Sequence, residues 1–167
     1  GMLEQLATHR NQMQVGSPAA KNRKYKMTFT IAPYNVNNRS AILSLSMRAW
    51  KPVFDQLEPT VAHYVYSAFY PNGWQARQSQ DIENFLDSEP ENIWIAADND
   101  DLAGWVGIRL HPEDSMGELY ILAVKPEAQR KGIAQLLIET ACHQLRKAGM
   151  KIIMVETGDD PGHAPSR

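Results

Sequence analysis

The sequence predicts an α/β domain, built on a mixed, mostly antiparallel sheet with helices on its faces. Three observations predict it. Residues 92–124 hold three apolar runs joined by short polar turns, the pattern of an antiparallel meander. Behind them stand one long amphipathic helical repeat and one more strand-like run. Ahead of them a single strand-like run is followed only by helical spacing.

Gly1, ahead of Met2, reads as an added residue and is set aside. Residues 2–25 are rich in Gln, Asn, Lys and Arg around a Gly16-Ser17-Pro18 break. They offer little continuous surface to bury and read as a mobile arm or a loosely docked short helix. The arm is assigned residues 1–25 and the domain residues 26–167. Residues 27–31, dense in β-branched and aromatic side chains, predict the first strand, with Pro33 near its end. Asn37 or Asn38 can cap the next segment, where Ile42, Leu45, Ala49 and Trp50 follow at helical spacing. Pro52 and Pro59 punctuate the stretch between Trp50 and Val61. A second helical pattern covers Val61, Val65, Ala68 and Phe69 and stops at Pro71-Asn72-Gly73. Residues 77–88 predict a further amphipathic helix, with Ile82, Phe85 and Leu86 facing inward.

Residues 92–98, 102–110 and 117–124 are the three runs of the meander. Asn99-Asp100-Asp101 supplies its first turn and residues 112–115 its second. Residues 119–124 are apolar on both faces, which suits a central strand covered on each side. A helix from about Gln129 or Gly132 to Ala148 repeats Ile133, Leu137, Ala141 and Leu145 every fourth residue, with Gln135, Glu139, His143 and Arg146 opposite. Gly149 offers a left-handed stop, and residues 151–156 predict the last strand.

The chain's 167 residues suit one domain, and 43% apolar with 22% charged residues is a globular composition. Its 17 Lys and Arg against 19 Asp and Glu leave a formal net charge of −2, which argues against a protein devoted to coating nucleic acid or an anionic membrane. The single cysteine, Cys142, cannot form an intrachain disulfide or a cysteine-rich zinc framework. No apolar run approaches the roughly 18–20 residues that span a bilayer. The first residues, with Glu4, His9 and Arg10, lack the apolar core of a secretory signal. Together these readings predict a soluble, cytoplasmic domain without nucleic-acid or membrane partners, and they leave a homodimer open.

The most informative stretch is Val124-Lys125-Pro126-Glu127-Ala128-Gln129-Arg130-Lys131-Gly132-Ile133-Ala134. A buried strand ends, a short loop turns, and a helix begins at a Gly-x-Ala step. Such a junction leaves main-chain N–H groups without internal partners, and with the helix dipole they make an anion site suited to phosphate. Gly132 and Ala134 carry little or no side chain, so an anion can approach the backbone closely. Lys125, Arg130 and Lys131 outweigh Glu127 and would strengthen the grip. The competing reading is that every strand–loop–helix unit has such an end and that the glycine serves packing. Neither G-x-x-x-x-G-K-[ST] nor G-x-G-x-x-G occurs, which disfavours a P-loop kinase and a dinucleotide dehydrogenase.

This segment resembles the acetyl-CoA-binding motif of the GNAT N-acetyltransferase superfamily, [QR]-x-x-G-x-[GA] after a strand. Gln129, Gly132 and Ala134 fill its fixed positions, Leu-Ala-Val-Lys-Pro matches the common strand end, and Leu136-Leu137 continues the match. The likeness is strong over residues 102–158 and faint before them. It implies an acetyl-CoA-dependent N-acetyltransferase that moves an acetyl group to a primary amine by direct attack, the acceptor being a small molecule or a protein. It implies that main-chain groups at Leu122 and Val124, with Ala123 between them, pair with the pantetheine arm as an added strand. The N–H groups of Arg130, Lys131, Gly132, Ile133, Ala134 and Gln135, with Gln129 shaping the turn, would hold the diphosphate. The acetyl carbonyl would lie near Leu122, polarised by a main-chain N–H. Glu118 matches the position of the glutamate base in histone-acetylating members, and an apolar setting would favour its protonated form. The competing reading makes Glu118 the solvated start of its strand or a group that orders a substrate amine. Two rivals of the enzyme are a non-catalytic acyl-CoA-binding or sensing module and a scaffold that has lost the ligand.

Cys142 reads as a small packing residue and His143 as solvated. His111-Pro112-Glu113-Asp114 has metal-friendly atoms but is equally ordinary hairpin-turn chemistry, and no metal is expected. Trp50, Tyr64, Tyr66, Phe69, Tyr70 and Trp74 read as mostly core, with one or two rings lining the acceptor cleft. After Glu156 the chain departs from the pattern. His163 stands near where many relatives have an Asn that helps hold coenzyme A, and the helix with a Tyr general acid does not follow before Arg167. The domain therefore reads as truncated at its C-terminal end. An incomplete chain is the first explanation, ahead of completion by a second chain or an inactive remnant.

Overall fold

A computed structural model describes residues 29–155. Five strands form one sheet in sequence order: β1 (Phe29–Pro33), β2 (Ile93–Asp98), β3 (Asp101–His111), β4 (Met116–Val124) and β5 (Ile152–Val155). The first three pairings are antiparallel, and β5 joins β4 in parallel. The mixed, mostly antiparallel sheet predicted from the meander is what forms. Four helices flank it: α1 (Arg39–Leu57), α2 (His63–Phe69), α3 (Trp74–Ser88) and α4 (Ile133–Lys147).

The periodicity of each helix decides which face it covers. Ile42, Leu45, Ala49, Trp50 and Phe54 of α1 and Ile82, Phe85 and Leu86 of α3 bury against Ile93, Ile95, Trp105, Ile121 and Ala123 on one face. Ile133, Ala134, Leu137, Ala141 and Leu145 of α4 bury against Val106, Ile108, Leu119, Leu122 and Val124 on the other. The central strands are apolar on both sides because both sides are covered. A buried hydrogen bond crosses the first layer, Trp105 Nε1 donating to Ser46 Oγ at 2.8 Å.

One expectation is corrected. The first helix does not stop at Pro52; it runs through it to Leu57. Pro52 is exposed and costs only the bond to the Arg48 carbonyl, while Phe54 beyond it stacks on Trp74 with ring centroids 4.3 Å apart. That packing outweighs the breaker. Asn38, one of the two residues expected there, is the N-cap of α1, and ahead of it Asn35 Oδ1 accepts from Asn37 N–H at 2.7 Å while Asn38 Oδ1 accepts from Asn35 N–H at 3.0 Å, closing a turn that leads into the helix. The aromatic group divides, with Trp50, Tyr66 and Trp74 buried and Tyr64 and Phe69 exposed on α2.

Candidate active site at the edge of β4

Lys125 N–H donates to the Ala103 carbonyl at 2.9 Å, one residue beyond the facing pair Gly104 and Val124. In an antiparallel ladder this bond marks Gly104 and Val124 as a non-hydrogen-bonded pair, so the N–H and C=O of Val124 point away from β3. Leu122, opposite Val106, stands two residues back in unbroken register and does the same. Ala123 between them turns its main-chain groups to Trp105 and serves as the spacer. On the other edge β5 faces only the start of β4, from Met116 opposite Ile152 to Leu119 opposite Val155. Among the described residues no strand faces Leu122 and Val124 there. The change comes at a β-bulge. Gly107 faces Ile121 while Ile108 faces Leu119, so Tyr120 is one residue in excess on β4.

The next turn bends back on the strand. Gln129 Nε2 donates to the Val124 carbonyl at 3.2 Å and ties the loop to the strand end. Arg130 and Gly132 both have left-handed backbones, φ 70° and 80°. For Arg130 that conformation is strained, and strain of this kind gathers at functional loops. The first bond of α4 is Leu136 N–H to the Gly132 carbonyl at 3.0 Å, and the N–H groups of residues 130–135 make no hydrogen bond among the described residues. A Cβ built on Gly132 meets nothing within 4 Å, so the approach to these donors is open. Ala134 does not open it further. Its side chain is fully buried under α4 beside Ile133, so its smallness serves helix–sheet packing.

The charges around the loop sort differently from the sequence count. Lys125 is committed to Asp101, and Arg48 Nη2 lies 2.7 Å from both oxygens of Glu127. The Arg48 hydrogen bond, with one from the backbone, holds the Glu127 carboxyl below its usual range. The exposed Arg130 and Lys131 remain as the cations without an ion-pair partner among the described residues.

Glu118 is 7% exposed, which removes the reading of a solvated strand start. It stands opposite Arg109, and its Oε1 lies 3.3 Å from His111 Nε2. Arg109 binds Glu89 at 3.2 Å and its Cζ sits over Tyr120, 3.8 Å from the ring centroid, and 5.4 Å from that of Phe85. At the residue that follows α2, burial pushes the Tyr70 phenol up from its ordinary value despite Arg77. The sequence reading missed His111, which it took for turn chemistry. Counting the hairpin back from residues 112–115 would have found it, because Arg109, His111 and Glu118 then share one face. Cys142 is half-buried and His143 exposed. Among the described residues no group of three or more His, Cys, Asp or Glu could hold a metal ion, and no helix is long and apolar enough to cross a membrane. The expectations for residues 1–25 and for residues 156–167, His163 included, lie outside the described residues.

A sequence model of the acetyltransferase (GNAT) family matches residues 61–164. The chain belongs to the GNAT family. This GNAT domain is 26% identical over 125 residues to a mycothiol acetyltransferase of Rhodococcus jostii, covering 70% of this chain and 41% of that protein. It is 28% identical over 116 residues to the mycothiol acetyltransferase of Saccharopolyspora erythraea, covering 66% and 37%. The chain thus spans about two fifths of the length of these curated relatives. Among solved structures it resembles a GNAT family acetyltransferase from Brucella melitensis in complex with acetyl-CoA, with TM-score 0.55, 16% identity, and 83% and 80% of the two chains covered. A PaiA N-acetyltransferase from Thermoplasma acidophilum in complex with coenzyme A gives TM-score 0.52 at 18% identity, with 74% and 76% covered. At these identities the structural likeness establishes the fold.

Proposed function

We propose that this GNAT domain binds acetyl-CoA along the free edge of β4 and transfers its acetyl group to a primary amine. The observation that carries the reading is a juxtaposition at one end of β4. The outward main-chain groups of Leu122 and Val124 lead directly into a loop whose donors at residues 130–135 and cations Arg130 and Lys131 are unpaired among the described residues. In this reading the amides of the pantetheine arm pair with Leu122 and Val124 as an added strand. The diphosphate takes the N–H groups of residues 130–135, and Gln129 keeps that loop against Val124.

The acetyl carbonyl then lies near Leu122, where a main-chain N–H stabilises negative charge on its oxygen. The amine nitrogen forms the new C–N bond, the C–S bond breaks, and the thiolate takes up a proton from water. The amine loses its own proton to Glu118, directly or through water. The acceptor is a small-molecule or protein amine, and the names of the relatives are compatible with the former.

Calorimetric titration with acetyl-CoA, followed by release of free thiol in the presence of L-glutamate, spermidine, glucosamine and a peptide with a free N-terminal alanine, tests the reading. Binding with thiol release supports it. Binding with no thiol release from any acceptor favours the sensing module, and no binding favours a scaffold. Glu118→Gln should keep the affinity for acetyl-CoA and slow turnover by ~10²-fold or more, most visibly at low pH where the amine is protonated. An unaltered rate profile removes Glu118 from the mechanism.

A further inference from the structure

Glu118 is a poor terminus for a proton. Its side chain is 10% exposed and its hydrogen-bond partner among the described residues is His111, whose own side chain is 34% exposed. A buried carboxylate that accepts a proton at every turnover must also be rid of it. We infer that His111 is the relay that carries the acceptor's proton from Glu118 to bulk water, an inference that rests on the base role proposed above for Glu118.

The geometry supplies the connection. His111 ends β3 opposite Met116 and is therefore the diagonal cross-strand neighbour of Glu118 on the same face, within side-chain reach. The turn that sets this register, Pro112–Asp114, is closed by Ser115 in a left-handed conformation, φ 50°. The pair is thus held by the hairpin itself. His is also the side chain whose ordinary pKa lets it take up and release protons near neutrality.

The cycle balances with water alone. The carboxylate of Glu118 takes the amine proton, and the resulting O–H donates to the lone pair on Nε2 of neutral His111. The imidazolium releases the proton on Nδ1 to solvent, which leaves Nε2–H donating to the Glu118 carboxylate, and a tautomer shift through water frees Nε2 for the next proton. The titratable and charged groups on surrounding elements are Arg109 on β3, Glu89 and Glu91 in the turn between α3 and β2, Glu113 and Asp114 in the turn after β3, Tyr120 on β4, and Lys151 ahead of β5. Arg109 is engaged with Glu89 at 3.2 Å, which leaves His111 as the side chain touching the Glu118 carboxylate.

The competing role is a strut, His111 merely holding Glu118 in place. His111→Gln separates the two, because an amide still hydrogen-bonds the carboxylate and cannot carry a proton. The whole chain is assayed with acetyl-CoA and the fastest acceptor of the four-member panel, from pH 6 to 9, beside Glu118→Gln. The relay predicts that His111→Gln lowers kcat about tenfold, a fraction of the ~10²–10⁴-fold range of a general base. It predicts unchanged KM for acetyl-CoA and recovery of rate in proportion to added imidazole. A kcat within twofold of the parent, or a loss that imidazole does not restore, overturns the relay while a slow Glu118→Gln keeps the base. If Glu118→Gln is also unaffected, the base assignment fails, and the relay with it. No thiol release from any acceptor overturns both.

Discussion

Gly132→Asp separates what the loop does for folding from what it does for a ligand. Gly132 sits at φ 80° and ψ 6° with nothing within 4 Å of a built Cβ, so the substitution meets no steric clash. Its folding cost is the left-handed backbone, about 1–2 kcal/mol for an L residue and least for Asp or Asn. In a domain of this size that lowers Tm by roughly 2–8 °C. The binding cost is electrostatic. A carboxylate about 4 Å from a phosphate repels it by about 4 kcal/mol at an effective dielectric of 20, and solvent at this open site reduces that somewhat. Affinity for coenzyme A should fall about 10²–10³-fold. Gly149→Asp is the matched control, because Gly149 at the far end of α4 has φ 87° and equally open space. It should cost similar stability and leave affinity unchanged. Calorimetry and thermal melts on the two variants decide the matter. A folded Gly132→Asp protein with the parent's Kd would refute the placement of the diphosphate.

Three further outcomes follow from the packing and charge. Ser46→Ala strands the Trp105 indole N–H in a core where Ser46 is fully buried, and should cost about 1–3 kcal/mol by urea denaturation. A loss under ~0.5 kcal/mol would mean that the indole finds another acceptor. Gly107→Ala puts a Cβ 2.8 Å from Phe85 Cζ and 2.9 Å from Ile121 Cγ2, both inside the core, and should cost about 1–3 kcal/mol through displaced side chains, read as a lower Tm. Arg48→Gln tests the Glu127 pair. Because the folded Glu127 pKa lies below its ordinary 4.5, the pair's stabilisation is present above that value and is lost as pH falls through the lowered one. The Tm difference between parent and Arg48→Gln should therefore shrink on acidification and also shrink in high salt, since both side chains are more than half exposed. A difference independent of pH would deny the pair any part in it.

Most of the fold was legible because its periods are clean. The four-residue spacing from Ile133 to Leu145 predicts a helix with one apolar face, and α4 buries that face. The three apolar runs predict strands, and their short turns predict the antiparallel order. What was not legible depends on contacts distant in the chain. Pro52 argues for a helix end by local rules, and only the ring of Trp74 stacked on Phe54 explains why α1 continues. The charge of the loop looks like a sum over residues 125–131, yet Arg48 and Asp101 cancel two of its members from elsewhere in the fold. His111 was discounted because turn chemistry explains its neighbours. The side chain that it touches lies seven residues on, across a hairpin whose register the sequence alone leaves open.

The bulge at Tyr120 shapes both parts of the proposed site on one strand, the coenzyme edge and the base. Leu122 and Val124 face α4, and strict alternation back along β4 would put Glu118 on that same face, inside an apolar core. The residue in excess reverses the parity. Leu119 faces α4, a Cβ on Gly117 would meet Leu145 Cγ at 3.0 Å, and Glu118 between them is turned to the face of α1 and α3 with Arg109 and His111. The described β5 ladder reaches Leu119, immediately before the bulge, and the outward main-chain groups of Leu122 and Val124 begin after it. Nothing in the composition of Gly107 to Ile121 announces this, since the excess residue is an aromatic with ordinary strand propensity. A single inserted position thus sets the side-chain direction of the proposed base and the point where the strand edge becomes free.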